Sequence, residues 1–181
     1  QDSHSVTDQT QGNWNGIIGK VELQAHQQQY IRNLQVYPDV KGKQIKVVMD
    51  VTGKAQKADF QFDVSGVKHS FSKIKRESDG KFSVIIPMGE DIRLWDEFHP
   101  NLYTLTATMG KESISTTFGM SEISIEGRQF YMNGKKIWMR GTVGNCCFPE
   151  TGYPPTDEAS WLRIFRKCKE YGLNMMRFHS R

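Results

Sequence analysis

The chain has 181 residues, of which 37% are hydrophobic, 24% charged and 11% aromatic. This length supports one complete domain with parts of others, and the aromatic content argues against a disordered chain. The 24 Lys and Arg residues are interleaved with 20 Asp and Glu residues. No base-stacking motif accompanies that charge, so we predict no nucleic-acid partner. No apolar run approaches the roughly 18 residues that span a bilayer, so we also predict no membrane association.

Short runs with alternating apolar and polar residues dominate the first two thirds of the chain. Such alternation is typical of half-buried strands, and glycine-containing turns separate the runs. About seven short strands within roughly ninety residues is the spacing of an immunoglobulin-like β-sandwich. We therefore predict an all-β domain over residues 28–119. Its strands are expected near residues 31–37, 45–51, 60–64, 68–74, 82–86, 103–109 and 113–118.

The pattern changes after Met120. Residues 127–136 predict a hairpin whose tight turn is Asn133-Gly134, and residues 137–140 predict a short apolar strand. A long loop follows, and then a helix with Thr156 as its predicted cap and Gly172 just beyond its end. Residues 173–178 predict a further strand. Strand, helix and strand form a βαβ unit, which implies a parallel pair.

Parallel sheets are normally covered on both faces by further elements. The sequence offers two such strands before it stops at Arg181, and it opens on Gln1 and not on Met. We therefore expect the chain to be a segment of a longer protein, with the βαβ unit as the first step of a larger α/β domain.

Four motifs follow one another along the chain: Asn13-Trp14-Asn15-Gly16, Leu94-Trp95 with Pro100-Asn101-Leu102-Tyr103, Asn133-Gly134-Lys135-Lys136 with Arg140-Gly141, and Gly172-Leu173-Asn174 with Arg177. In this order they resemble glycoside hydrolase family 2. The family carries a jelly-roll sugar-binding domain, an immunoglobulin-like sandwich and a catalytic (β/α)8 barrel, in that order. The resemblance divides the chain into the tail of a jelly-roll domain (1–27), the sandwich (28–119) and the incomplete start of the barrel (120–181).

The resemblance implies a parent enzyme that hydrolyses β-O-glycosidic bonds with retention, using two carboxylates and no cofactor. The substrates that the resemblance implies for the parent are galactosides, glucuronides or mannosides. A full barrel needs about 250 residues, so the strands that carry both glutamates in the family lie outside this sequence. We therefore expect no catalytic residue here and an inactive chain. The sandwich would act as a spacer between domains.

Four residues are predicted to bind substrate in the parent. Arg177 and His179 follow the second barrel-like strand, at the end where barrel enzymes place their active sites. In the family the matching arginine lies beside the nucleophile, where its charge would keep that carboxylate ionised. Asn174 matches the same motif, although hydrogen bonding to neighbouring loops is an equal alternative. Asn145 follows the first barrel-like strand and is a candidate for sugar hydroxyls or for capping its loop.

Some residues could also suggest other functions and partners. Cys146, Cys147, Cys168 and His179 lack the spacing of a zinc site, so we predict no metal. The alternative to a glycosidase is a non-catalytic immunoglobulin-like module that binds glycans or proteins. An orphaned barrel start should expose Trp138, Met175 and Phe178 and should promote self-association. Localisation stays open, with a periplasmic or secreted parent favoured.

Overall fold

A computed structural model describes residue 17, residues 19–144, residue 148 and residues 150–178. The chain divides into two compact units, Gln24–Ile137 and a second unit that combines Gln1–Leu23 with Trp138–Arg181. The expected jelly-roll tail lies largely outside the described residues and stays a prediction. No helix in the described part of the chain is both long and apolar enough to cross a membrane.

The first unit contains the predicted sandwich. Its seven strands are β1 Ile31–Asp39, β2 Gln44–Val51, β3 Lys57–Val64, β4 Val67–Lys75, β5 Phe82–Pro87, β6 Tyr103–Met109 and β7 Glu112–Phe118. All seven predicted strands are confirmed, with ends that differ by at most three residues. They pair antiparallel in a three-stranded sheet of order β1-β2-β5 and a four-stranded sheet of order β4-β3-β6-β7.

The sandwich core lies between the two sheets and consists of the inward-facing residues of both. Phe60 and Phe82, from opposite sheets, meet edge to face with their ring centroids 5.4 Å apart. Their alternation along the strands is the physical reason why the sequence pattern located the strands so well. The fully buried side chains of greatest volume are Phe60, Phe62, Phe82, Ile45, Met49, Ile86, Leu105, Met120 and Val47.

Arg76 joins two loops at one end of the sandwich. Its guanidinium donates hydrogen bonds to the main-chain oxygens of Val51, Gly53, Ala55 and Gly80, at distances from 2.8 to 3.2 Å. It also lies 4.9 Å from the ring centroid of Phe82. Arg76 therefore supports the structure at this end of the sandwich.

The edge strand β4 is interrupted by a bulge. Its pairing with β3 shifts register between Ala58 and Phe60, and Lys73 adopts a positive φ of 56°. The Lys73 N–H donates to the Asp59 carboxylate at 2.5 Å instead of to a main-chain oxygen. Beyond the bulge, Lys75 stands directly opposite Lys57. A bulge bends the strand and breaks the regular row of edge groups.

A second, smaller sheet belongs to the same unit. Its three antiparallel strands are β8 Ile123–Glu126, β9 Gln129–Met132 and β10 Lys135–Ile137, in the order β10-β9-β8. The predicted hairpin turn is confirmed, because Asn133 and Gly134 have φ values of 51° and 74°. Positive φ at both central residues is the requirement of the favoured two-residue hairpin turn.

The segment around Trp95 ties this small sheet to the sandwich. The Trp95 N–H donates to the Met120 oxygen at 2.9 Å, and the Asn133 side chain donates to the Trp95 oxygen at 3.0 Å. Asn133 also accepts the Glu122 N–H through Oδ1 at 2.9 Å. A Cβ atom on Gly119 would lie 2.6 Å from the Trp95 Cβ. The compact unit therefore runs to Ile137, past the boundary expected after residue 119, which stays a prediction.

Candidate functional site

The described part of the second unit contains one helix, α1, over Glu158–Glu170. Asp157 is its N-cap and accepts the Ser160 N–H at 2.8 Å, which lowers the pKa of the Asp157 carboxyl. The prediction of Thr156 as the cap was wrong by one residue, because two adjacent residues both have capping side chains. The prediction of Gly172 beyond the end is confirmed, since Gly172 has a φ of 74° directly after the C-cap residue.

The helix connects two short parallel strands, β11 Gly141–Gly144 and β12 Met175–Phe178. Their register pairs Gly141 with Met175 and Val143 with Arg177. The predicted parallel βαβ unit is therefore confirmed. The predicted strand over residues 137–140 was wrong, because β10 ends at Ile137 and β11 begins only at Gly141.

Residues 138–140, between β10 and β11, are held by hydrogen bonds to Asn174. The Asn174 Oδ1 accepts the Arg140 N–H at 2.8 Å, and its Nδ2 donates to the Trp138 oxygen at 2.9 Å. The Asn174 main-chain N–H donates to the Arg140 oxygen at 2.9 Å. The side chain thus replaces the pairing that the apolar pattern of residues 137–140 had indicated.

An aromatic cluster covers one face of the parallel pair. Trp161 on α1 packs against Phe178 of β12 with ring centroids 5.6 Å apart, and against Phe165 and Phe148 at 5.7 and 6.1 Å. The Trp161 indole also donates to the Pro155 oxygen at 2.8 Å. Phe148 carries no periodic signal in the sequence, because it lies in a glycine- and proline-containing loop.

Arg177 lies on the opposite face. Successive side chains of a strand point to opposite sides, so Arg177 faces away from the helix that Phe178 contacts. Its neighbours on that face are Val143 and Met175, which are 48% and 43% exposed. Among the described residues, no carboxylate lies within ion-pair distance of Arg177. The result is an exposed cation on an otherwise apolar, uncovered sheet face.

The structure describes two of the four predicted site residues and places them at different ends of β12. Arg177 is near its carboxyl end, whereas Asn174 directly precedes its amino end. Asn145 and His179 lie outside the described residues, as do Cys146 and Cys147. Within the described ranges, no group of three His, Cys, Asp or Glu side chains is arranged to hold a metal ion.

A separate open cavity of about 230 Å³ lies at the edge of the sandwich. Its polar lining is paired internally: His26 lies 3.2 Å from the Glu112 carboxylate, which also accepts the Gln27 N–H at 2.6 Å. The His26 ring stacks on Tyr30 with centroids 4.0 Å apart, and Arg32 is paired with Asp50. The bond from Gln27 is the main cause that lowers the pKa of Glu112. These contacts hold the segment before β1 against the sandwich.

Comparison with known families decides the identity of the chain. Residues 29–120 match the family model for Glycosyl hydrolases family 2. The chain belongs to glycosyl hydrolases family 2. The matched residues span the whole two-sheet sandwich, so the resemblance seen in its motifs is confirmed.

Individual relatives agree with that assignment. A beta-galactosidase of Staphylococcus xylosus is 30% identical over 140 residues, which are 77% of this family 2 chain and 13% of the relative. A beta-galactosidase of Actinobacillus pleuropneumoniae is 22% identical over 97% of this chain and 17% of the relative. The chain therefore spans less than a fifth of the length of these relatives.

Solved structures show the same fold. A Faecalibacterium prausnitzii beta-glucuronidase superposes with a TM-score of 0.65 and 23% identity over 84% of this chain and 24% of its own length. A family 2 beta-galacturonidase from Eisenbergiella tayi superposes with a TM-score of 0.68 and 17% identity over 85% of this chain and 29% of its own length. At these identities the likeness establishes the fold alone.

Proposed function

We propose that the chain is a non-catalytic segment of a larger glycosidase that hydrolyses β-O-glycosidic bonds with retention. The order of its parts carries the proposal: a family 2 sandwich is followed along the chain by a parallel βαβ unit whose second strand contains Arg177. In this interpretation β11, α1 and β12 open the catalytic barrel, and the sandwich is the spacer before it. The two catalytic carboxylates would come from later strands of the barrel.

The uncovered face of β11 and β12 supports the barrel interpretation. Parallel sheets are buried on both faces, whereas among the described residues α1 covers one face of this pair. On the other face Val143 and Met175 are 48% and 43% exposed, as expected for strands that lack barrel neighbours. Trp138, which precedes β11, and Phe178, on the helix face, are also 65% and 48% exposed. The same exposed side chains would promote self-association of the isolated chain.

Arg177 is proposed to lie beside the catalytic nucleophile of the parent. Arg177 lies near the carboxyl end of β12, and barrel enzymes have their active sites at the carboxyl ends of their strands. A fixed positive charge there would lower the pKa of a neighbouring carboxylate and keep it ionised. A β-galactoside is the first substrate to test, because the curated relatives are beta-galactosidases.

The first experiment assays the purified chain on 4-nitrophenyl β-galactoside and β-glucuronide. We expect no release of nitrophenol above the buffer rate, and turnover that Arg177→Met abolishes would contradict a non-catalytic segment. Sequencing the gene on both sides tests the parent. An open frame that supplies the remaining barrel supports the proposal, whereas stop codons that bound this segment would refute it.

The second experiment uses the longer gene product. Arg177→Met should move the acidic limb of the kcat pH profile to higher pH, because the nucleophile would lose the charge that keeps it ionised. Arg163→Met, on the exposed surface of α1, is the matched control and should leave the profile unchanged. Equal profiles for both variants would refute the role of Arg177.

A further inference from the structure

The amino ends of β11 and β12 meet at one side chain. Asn174 uses its amide oxygen for the Arg140 N–H and its amide nitrogen for the Trp138 oxygen, while its main-chain N–H pairs with the Arg140 oxygen. In the register of the parallel pair, Arg140 and Asn174 directly precede Gly141 and Met175. The side chain therefore adds two hydrogen bonds to the main-chain bond that joins the segments at the amino ends of the strands.

Arg140 brings the end of the helix to the same place. Its Nε donates to the Gly172 oxygen at 2.7 Å, in the loop that follows the C-cap of α1. A cation at the carboxyl end of a helix is favourable for the exposed carbonyl groups there. Three elements, namely the start of β11, the end of α1 and the start of β12, are thus connected through two side chains.

This connection matters because the parallel pair is short. Two strands of four residues each provide few main-chain bonds with which to define their register. A slip by one residue would turn every side chain of β12 to the other face. Arg177 would then point toward Trp161 and the helix, and not to the uncovered face.

We propose that Asn174 is a positioning residue that sets the register of β11 and β12 and thereby the face on which Arg177 stands, and that it does not bind substrate. Both polar ends of its amide are engaged by main-chain groups at the amino end of the strands. Barrel sites form at the carboxyl end. The significance of this role for catalysis rests on the proposed function, whereas the hydrogen-bonding role stands independently of it.

The test compares Asn174→Leu and Asn174→Asp by amide hydrogen exchange in the full chain. Leucine has a similar size but makes none of the side-chain bonds, so exchange at residues 138–142 and 175–178 should become about tenfold faster, as expected for the loss of one to two hydrogen bonds. Asn174→Asp keeps the acceptor for the Arg140 N–H but places a carboxylate against the Trp138 oxygen. At neutral pH the exchange rate of Asn174→Asp at these residues should lie between those of wild type and Asn174→Leu.

Acidification makes the test specific. When the introduced carboxylate takes up a proton, its O–H is able to donate to the Trp138 oxygen, so protection in Asn174→Asp should return toward the wild-type value measured at the same pH. Asn33→Asp, on the exposed face of β1, is the matched control and should show no change at residues 138–142. Unchanged exchange in Asn174→Leu, or an Asn174→Asp variant that behaves like the leucine variant at every pH, would overturn the proposal.

The role in catalysis is measured separately in the longer gene product. Asn174→Leu should shift the acidic limb of the kcat pH profile in the same direction as Arg177→Met, because both displace the same charge. If exchange changes as expected but the pH profile does not move, the register role holds and the link to Arg177 fails. If the longer product is no glycosidase, the exchange result still decides the structural part.

Discussion

Replacing Gly119 with alanine is the sharpest available test of how the small sheet is joined to the sandwich. The added Cβ would lie 2.6, 2.7 and 2.9 Å from the Cβ, Cγ and Cδ1 atoms of Trp95. These distances are up to about 1 Å shorter than the roughly 3.5 Å at which two carbon atoms make their best contact. The clash is with the stem of the tryptophan side chain, which rotation about its outer bonds does not move away.

The backbone of Trp95 is held on both sides. Its N–H is bonded to the Met120 oxygen and its own oxygen to the Asn133 side chain, so relief of the clash requires these bonds to stretch. Overpacking of this kind costs about 1–3 kcal/mol. For a unit of this size we expect the melting temperature to fall by about 4–12 °C.

Urea and thermal unfolding followed by circular dichroism measure this loss. Gly19→Ala is the control, because its Cβ would meet nothing within 4 Å, and its effect should stay within about 0.5 kcal/mol. In the double variant Trp95→Gly/Gly119→Ala the clash is absent, because glycine lacks the Cβ as well as the ring, so its cost should be smaller than the sum of the two single costs. A Gly119→Ala chain as stable as wild type, or strict additivity, would refute the reasoning.

Three further predictions concern single side chains. Arg76→Met should lower the free energy of unfolding by about 2 kcal/mol, because several main-chain carbonyls lose a charged donor; chemical denaturation measures it, and a neutral effect would contradict the bonding described. The pKa of Glu112 is lowered, so its contribution to stability is present above the ordinary pKa of 4.5 and is lost as the pH falls through the lower pKa of the folded state. Wild type should therefore melt at a higher temperature than Glu112→Gln at pH 7, and this difference should shrink toward pH 3. A difference that stays constant with pH would be evidence against this contribution. Asp157→Ala should speed amide exchange in the first turn of α1, whereas Asp157→Asn keeps an acceptor and should not; equal exchange in both variants would count against the cap.

The sandwich was predictable from the sequence because its physics is local and periodic. Residues 103–109 alternate between the core and solvent, and the predicted strand matches β6 at both ends. The turn at Asn133 and Gly134 was predictable for a different reason, since few residue pairs tolerate positive φ at two successive positions. In these cases the residues that form the structure also carry the signal for it.

The parallel pair was predicted in type but not in its ends. Where β11 begins depends on the side chain of Asn174, more than thirty residues away along the chain, and no local pattern reports that contact. The face of the sheet on which Arg177 lies could have been inferred from Phe178, because adjacent strand residues alternate and the helix covers Phe178. The proposed role of Arg177 requires a carboxylate from later barrel strands, so the sequence analysis could predict only part of the site.

The bulge at Lys73 has a consequence for the behaviour of the chain in solution. A flat edge strand is a template on which a second molecule can add its own strand. In β4 the positive φ at Lys73 and the facing pair Lys57 and Lys75 spoil that template, first by shape and then by charge repulsion. Aggregates of the chain should therefore lack intermolecular β-pairing along β4, and their growth should depend on the exposed side chains around Trp138 and Met175.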